Sequence, residues 1–272
     1  MTLREILVAI AAGVVQGFVE WLPISSSGNL SLFLTALGTS PDIAVQLALF
    51  LQMGTTLSAA IYYRETIVDA VHDAPGWRPR TAFAGANAET SFVLVATAMT
   101  GLVGIPLYLL LIDFASELTG GAFVALIGFL LVLTGLLQRA TDVVSLGDRG
   151  TPSLVDAILV GAFQGVTILP GVSRSGTTAS VLLFRGYEGP AAFRLSFLLS
   201  IPAGIGAGLL VLADEGLPTT GVEAVVALVV SAVVGYAMID AIMRVVHEVE
   251  FWLVCVVLGG LAVLGGGLTM LI

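Results

Sequence analysis

Two charged side chains stand where the surrounding sequence makes charge expensive. Glu20 lies within GVVQGFVEWLPISSSGN, residues 13–29, and Arg174 within GAFQGVTILPGVSRSGTT, residues 161–178. Ionisable groups inside apolar segments are costly and are usually kept for function. Gln16 precedes Glu20 by four positions, so on a helix the two share a face. Glu20 is followed by Ser25, Ser26, Ser27 and Asn29. A carboxylate beside hydroxyls suits nucleophile activation, with the acid taking the proton. Arg174 sits among Ser173, Ser175, Thr177 and Thr178. A guanidinium fork with hydroxyls on both sides suits a phosphate, which it can grip in bidentate fashion. Structural readings stand beside these: Glu20 as a cap of the serine-rich turn, and Arg174 as its salt-bridge partner with no ligand.

The two segments are copies of one another. Residues 13–28 align without a gap on 161–176, a displacement of 148 positions. Gln-Gly falls on Gln-Gly and Ser-x-Ser-Gly on Ser-x-Ser-Gly, which points to an internal duplication. In each copy a Pro/Gly/Ser turn precedes a short apolar stretch. Exposed N–H groups and the positive dipole end at a helix start favour an anion, so two such turns facing one another would grip two phosphates. Ordinary serine capping accounts for either turn alone.

The elements that must position these residues are membrane helices. Of 272 residues, 57% are hydrophobic and only 11% charged, with a mean hydropathy of +1.05; soluble domains carry roughly 25% charged residues. Six apolar runs, about 43–63, 91–112, 121–138, 195–213, 222–243 and 251–271, are of spanning length or nearly so. Pro106 and Pro202 fall inside two of them and predict kinks. The stretches 3–34 and 153–185 are hydrophobic but broken, and read as re-entrant helix hairpins. The expected fold is an all-α integral membrane protein, residues 1–272 forming one membrane domain. Repeat one covers about 1–138, repeat two about 153–272, and 139–152 links them. Each unit is a hairpin plus three spans.

Arginines orient this plan. Arg64, Arg78 and Arg80, then Arg139 and Arg149, then Arg185, Arg194 and Arg244 cluster at alternate ends, and the positive-inside bias assigns them to the cytoplasmic side. Arg4 alone opposes it. An odd number of spans per unit inverts the second copy, so the first hairpin enters from outside and the second from inside. Inverted units with broken helices bring their motifs together near the midplane, where Gln16, Glu20, Ser25, Ser26, Ser27 and Asn29 should meet Gln164, Thr167, Ser173, Arg174, Ser175, Thr177 and Thr178.

The net charge is −9 and the ten basic residues are all arginine. This disfavours nucleic acid as a partner. Adaptation to a high-salt host and drift in short loops both fit it. Cys255, the single cysteine, reads as a small buried hydrophobe, and His72 and His247 are too far apart to support a metal cluster. No cleavable leader is expected. A homo-oligomer is compatible with the sequence.

Gln16-x-x-x-Glu20 with Leu22-Pro23-Ile24-Ser25-Ser26-Ser27-Gly28, and Pro170-Gly171-Val172-Ser173-Arg174-Ser175-x-x-Thr178, resemble the two signatures of the undecaprenyl-diphosphate phosphatase (bacitracin-resistance) family. The resemblance covers nearly the whole chain. It implies hydrolysis of a polyprenyl diphosphate to the monophosphate and inorganic phosphate, a divalent cation (Mg²⁺ or Ca²⁺), location in the plasma membrane, and a site open to the outer face. The expected roles are Glu20, Ser26 and Arg174 in catalysis; Gln16, Ser25, Ser27, Asn29, Ser173, Ser175 and Thr178 in substrate binding; and Glu20 at the cation. The family commonly has His where this chain has Asn29. The rival reading is a lipid-phosphate transporter or flippase on the same inverted scaffold.

Overall fold

The computed structural model describes residues 3–65, 67–68, 82–85, 87–141, 147–214, 216–217, 221–245 and 250–271. His72, His247, Arg78 and Arg80 lie outside the described residues, as does the side chain of Arg244.

The chain is all-helical among the described residues. α1 runs Leu3–Val19 and α2 Ser26–Ala36, followed by α3 at Pro41–Tyr62, α4 at Asn87–Glu117 and α5 at Gly120–Thr141. α6 at Leu154–Val166 and α7 at Arg174–Phe184 follow, then α8 at Gly189–Asp214, α9 at Val222–Val245 and α10 at Phe251–Thr269. Six helices, α3, α4, α5, α8, α9 and α10, are long and apolar enough to cross a membrane, which fits an integral membrane protein. They match the six expected spans, two of them lengthened: the helix expected from 195 begins at Gly189, and the one expected to end at 112 runs to Glu117. The expected loop at 113–120 shrinks to a break at 118–119, because α4 continues through Asp113, Ser116 and Glu117 as a helix end with a polar face.

Both broken stretches are helix–turn–helix units, and their boundaries keep the sequence spacing. α2 and α7 are each 11 residues, and their caps, Ser25 and Ser173, then Leu37 and Arg185, lie 148 positions apart. Both helices end alike, with a left-handed glycine, Gly38 (φ 93°) or Gly186 (φ 84°), as a helix C-terminus favours. The following N–H, of Thr39 or Tyr187, reaches back to Leu34 or Leu182.

Each hairpin packs on a span of the other half: α1 lies along α9 and α6 along α4. Glycines four apart allow this. A Cβ on Gly13 would meet the Ala227 carbonyl oxygen at 2.5 Å, and one on Gly17 the Gly235 nitrogen at 2.8 Å. On the other side a Cβ on Gly165 would meet the Gly104 nitrogen at 2.9 Å. Small residues at such spacing let backbones approach in a membrane, where packing rather than water expulsion holds helices together. α3 packs on α8 and α5 on α10, two further contacts between the halves.

Candidate active site

The two turns meet, and they touch through backbone. A Cβ on Gly28 would meet the Gly171 nitrogen at 2.6 Å, so glycine is required there. The Gly171 N–H donates to Ser25 Oγ at 3.1 Å, a bond across the repeats. Ser25 also accepts from the Gly28 N–H at 3.3 Å. To do both it takes a left-handed backbone (φ 61°), the one positive φ outside glycine among the described residues. Such conformations cost energy and cluster at functional sites.

Glu20 is the hub. Its Oε1 accepts from Arg174 Nη2 at 2.5 Å, and its Oε2 accepts from Gln16 Nε2 and from Ser26 Oγ, both at 2.6 Å. The side chain of Glu20 is 5% exposed and that of Arg174 19%. Arg174 Nη1 donates to the Ser200 carbonyl at 3.2 Å. Separation of such a buried pair would leave an uncompensated charge, a loss of about 3–5 kcal/mol. Ser26 and Glu20 are within the range expected of a nucleophile and its base.

α5 braces both turns from one face. Thr134 Oγ1 donates to the Gly171 carbonyl at 3.0 Å and accepts from the Ser173 N–H at 3.3 Å. One helical turn on, Gln138 Nε2 donates to the Pro23 carbonyl at 2.6 Å. The buried Cys255 thiol also approaches Pro23, at 3.5 Å.

A cavity of about 360 Å³ opens over this cluster. Glu20, Ser25, Ser26, Ser27, Ser173, Arg174 and Ser175 line it, with Gln164 and Thr167. Gln16 lies behind Glu20 and is fully buried. Asn29 and Thr178 are not in the lining. Asn29 Nδ2 donates to the carbonyls of Ile24 and Ser25, at 2.7 and 3.0 Å, and so ties the strained turn. Thr178 is buried against α8, its hydroxyl bonded to the Arg174 carbonyl at 2.9 Å and to Ser196 Oγ at 2.6 Å. Thr177 is buried too. Asn29 and Thr178 support the site from behind, their polar atoms taken up by the carbonyls of Ile24, Ser25 and Arg174 and by Ser196.

The helix starts are partly occupied by their own caps: Gly28 N–H bonds to Ser25 and Gly176 N–H to Ser173. The N–H groups of Ser26, Ser27, Arg174 and Ser175 belong to the first turns of α2 and α7 and have no intrahelical acceptor, the kind of helix start that suits an anion. Sequence reasoning missed the far wall, where Gln52 of α3 and Thr97 and Thr100 of α4 line the cavity. Gln164 Nε2 donates to Thr100 Oγ1 at 3.1 Å, and the buried oxygens Gln164 Oε1 and Thr97 Oγ1 have no hydrogen-bond partner among the described residues. Their polarity in mid-span was the available signal.

Among the described residues no group of three or more His, Cys, Asp or Glu comes together. Glu20 is the single carboxylate in the lining. That donor set does not make a protein cage for a cation, but it fits Mg²⁺ held by one carboxylate together with substrate phosphates.

The model of the family described as bacitracin resistance protein BacA matches residues 9–263. The chain is 52% identical over 271 residues to an undecaprenyl-diphosphatase of Haloarcula marismortui, covering 99% of this chain and 100% of that protein. It is 40% identical over 269 residues to one of Methanopyrus kandleri, covering 96% of each, and 38% identical over 262 residues to one of Methanococcoides burtonii, covering 94% and 96%.

Proposed function

The chain belongs to the BacA bacitracin-resistance family, and on that premise we infer that it is a membrane hydrolase that cleaves a polyprenyl (undecaprenyl-type) diphosphate to the monophosphate and inorganic phosphate. The carrying observation is the Arg174–Glu20–Ser26 chain at the meeting point of the two turns. The same family evidence favours hydrolysis over the carrier reading.

In the free site all of the Glu20 hydrogen bonds are taken up by Arg174, Gln16 and Ser26. A diphosphate competes for Arg174, since a guanidinium pairs with phosphate in the same fork geometry as with carboxylate. Its arrival turns Arg174 toward the phosphate and leaves Glu20 free to act on Ser26. Ser26 Oγ then attacks the terminal phosphorus, its proton passes to Glu20, and the bridging oxygen leaves with the lipid monophosphate. Glu20 passes that proton to the departing monophosphate, and water then releases phosphate from the serine with Glu20 again as base. In the alternative route Glu20 deprotonates the attacking water directly. Ser27, Ser173, Ser175 and the helix-start N–H groups hold the phosphoryl oxygens. Glu20, together with the diphosphate oxygens, would hold a divalent cation, which when bound neutralises charge on the phosphates.

The site is proposed to open to the outer face of the cell membrane, with the second hairpin inverted relative to the first. Support comes from Arg64, Arg139, Arg149, Arg185 and Arg194, which lie at helix ends or in connections on the side assigned to the cytoplasm.

Purified protein given a prenyl diphosphate and Mg²⁺ is expected to release inorganic phosphate, and Glu20→Gln and Arg174→Ala to lose at least about 10³-fold of that rate. Thermal unfolding in detergent is followed alongside to show that the variants stay folded. Full turnover in either variant would overturn the assignment.

A further inference from the structure

One buried acceptor in the cavity wall is left without a donor, and its neighbours explain why. Gln164 is 2% exposed and lines the cavity. Thr100 Oγ1 donates toward the carbonyls of Ala96 and Gly161, at 2.8 and 3.2 Å, so its proton is committed to backbone. That hydroxyl can otherwise only accept, and it takes the Gln164 Nε2 N–H at 3.1 Å. The amide is thereby fixed, because a flip would set its oxygen against a hydroxyl with no proton to give. Gln164 Oε1 remains as an acceptor with no partner among the described residues.

The duplication accounts for this arrangement. Gln16 is the equivalent of Gln164, and its Nε2 donates to Glu20, four residues on, at 2.6 Å. In the second copy that place is Ile168, which offers no acceptor, and the amide turns to α4 instead. Ser231 stands four residues after Ala227 as Thr100 stands after Ala96, and Ala227 and Ala96 meet the equivalent glycines Gly13 and Gly161. Ser231 donates to the Leu51 and Leu228 carbonyls, so the pairing of hydroxyl with glutamine is found in the second copy alone. Gln16 Oε1 has no partner either, but Gln16 is outside the cavity lining. Of the two glutamines, Gln164 is the one whose unused oxygen belongs to the cavity wall.

A fixed amide oxygen selects what it binds. Phosphate oxygens are acceptors and are repelled by it, whereas water is a donor and is held. Resting on the phosphatase reading and on its serine route, we propose that Gln164 positions the water that hydrolyses the phosphoserine. In the first step the bridging oxygen departs with the proton that Glu20 delivers. Water takes the place so vacated, in line with Ser26 Oγ. It gives one hydrogen bond to Gln164 Oε1 and its other proton to Glu20. The water oxygen bonds to phosphorus, the bond from phosphorus to Ser26 Oγ breaks, and Ser26 recovers its proton from Glu20. The hydrogen held by Gln164 stays on the phosphate that leaves.

The test uses Gln164→Leu, which keeps the bulk and removes the acceptor. Wild type and variant are mixed with undecaprenyl diphosphate and Mg²⁺, and lipid monophosphate and inorganic phosphate are followed separately through the first turnover. The variant is expected to release about one monophosphate per site at close to the wild-type rate and then to stall. Its steady phosphate release should fall about 10²-fold, the scale of loss when a reacting group is misplaced by about 1 Å. Acid quenching during the stall should recover phosphoserine at most sites. The unfolding temperature should not fall, because the change removes an unpaired acceptor and strands no donor. Thr100→Val frees the amide to turn, and a weaker form of the same stall is expected; this variant carries the test if the leucine variant does not fold. Parallel loss of both products with no burst, an unchanged steady rate, or recovery of phosphate release at raised Mg²⁺, which would give the amide to the cation, would each overturn the role of Gln164. Wild-type protein that releases no phosphate would instead overturn the phosphatase reading.

Discussion

Ser26 and Glu20 face each other at 2.6 Å, so their roles separate by experiment. Ser26→Ala is expected to lose about 10²–10⁴-fold in phosphate release, and acid quenching of wild type during turnover should trap a phosphoserine. Asn29 is a second test at this scale. It stands where the family commonly has His, and it donates to two carbonyls of the strained Ser25 turn. Asn29→Asp would set an acceptor against two acceptors, and the expected result is a lower unfolding temperature together with lost activity. Removal of divalent cation by a chelator is expected to stop phosphate release without changing the unfolding temperature, because among the described residues the cavity offers one carboxylate and no cage. At this scale the sequence was informative where a residue was chemically out of place. Glu20 and Arg174 were legible because charge in an apolar run demands a reason. Thr178 and Asn29, expected among the substrate-binding residues, stand outside the cavity lining, since motif membership does not say which face of a turn a side chain takes.

α5 is the element on which the geometry of the turns depends. Thr134 holds the Gly171–Ser173 turn and Gln138 the Pro23 turn, so a single helix face sets the distance between the two halves of the site. Thr134→Val strands the Gly171 carbonyl and the Ser173 N–H, a penalty of about 1–3 kcal/mol for a buried group left unpaired. A lower unfolding temperature and a reduced kcat are expected, with Thr134→Ser retaining most of both. Nothing in the sequence marked these braces, because a threonine and a glutamine in a membrane span have many structural uses. The hairpins were different: their broken hydrophobicity and the fixed 148-residue displacement located α2 and α7 closely. At the linker end of α6, outside the six spans, Asp156 ties Ser153, Arg149, Arg185 and Tyr187. Burial pushes its carboxyl up, but the hydrogen bonds from Ser153, Arg185 and Tyr187 prevail and hold it at about 2, below the usual 3.8. The stabilisation is therefore complete above about pH 4 and is lost as pH falls toward 2. Unfolding temperatures of wild type and Asp156→Asn should differ at neutral pH and converge over that range.

For the whole molecule, the composition already identified a membrane protein, and the proposed inverted plan makes a definite topological prediction. In a Cys255→Ser background, cysteine at Thr119 should react with an impermeant thiol reagent added outside intact cells. Cysteine at Asp148 should react only after permeabilisation. The reverse pattern would invert the assigned orientation. What the sequence could not supply was the partnering between halves, since periodicity finds the apolar face of a helix and not the helix that covers it. The mutual exchange, α1 on α9 and α6 on α4, emerges only in three dimensions.

That exchange has a consequence for biosynthesis. When the ribosome has made the first half, α1 and α2 are in the membrane but α9 has not been translated. Glu20 and Gln16 then have neither Arg174 nor the covering span, and a nascent chain must shelter them from lipid until the last third of the protein arrives. Insertion is thus a two-stage event whose waiting period grows with translation time, and a protein that attends nascent membrane chains has a defined client interval. Cutting the gene within the linker and expressing both pieces together should restore an active protein. Either piece expressed alone should be degraded, because each carries a hairpin whose partner is encoded in the other.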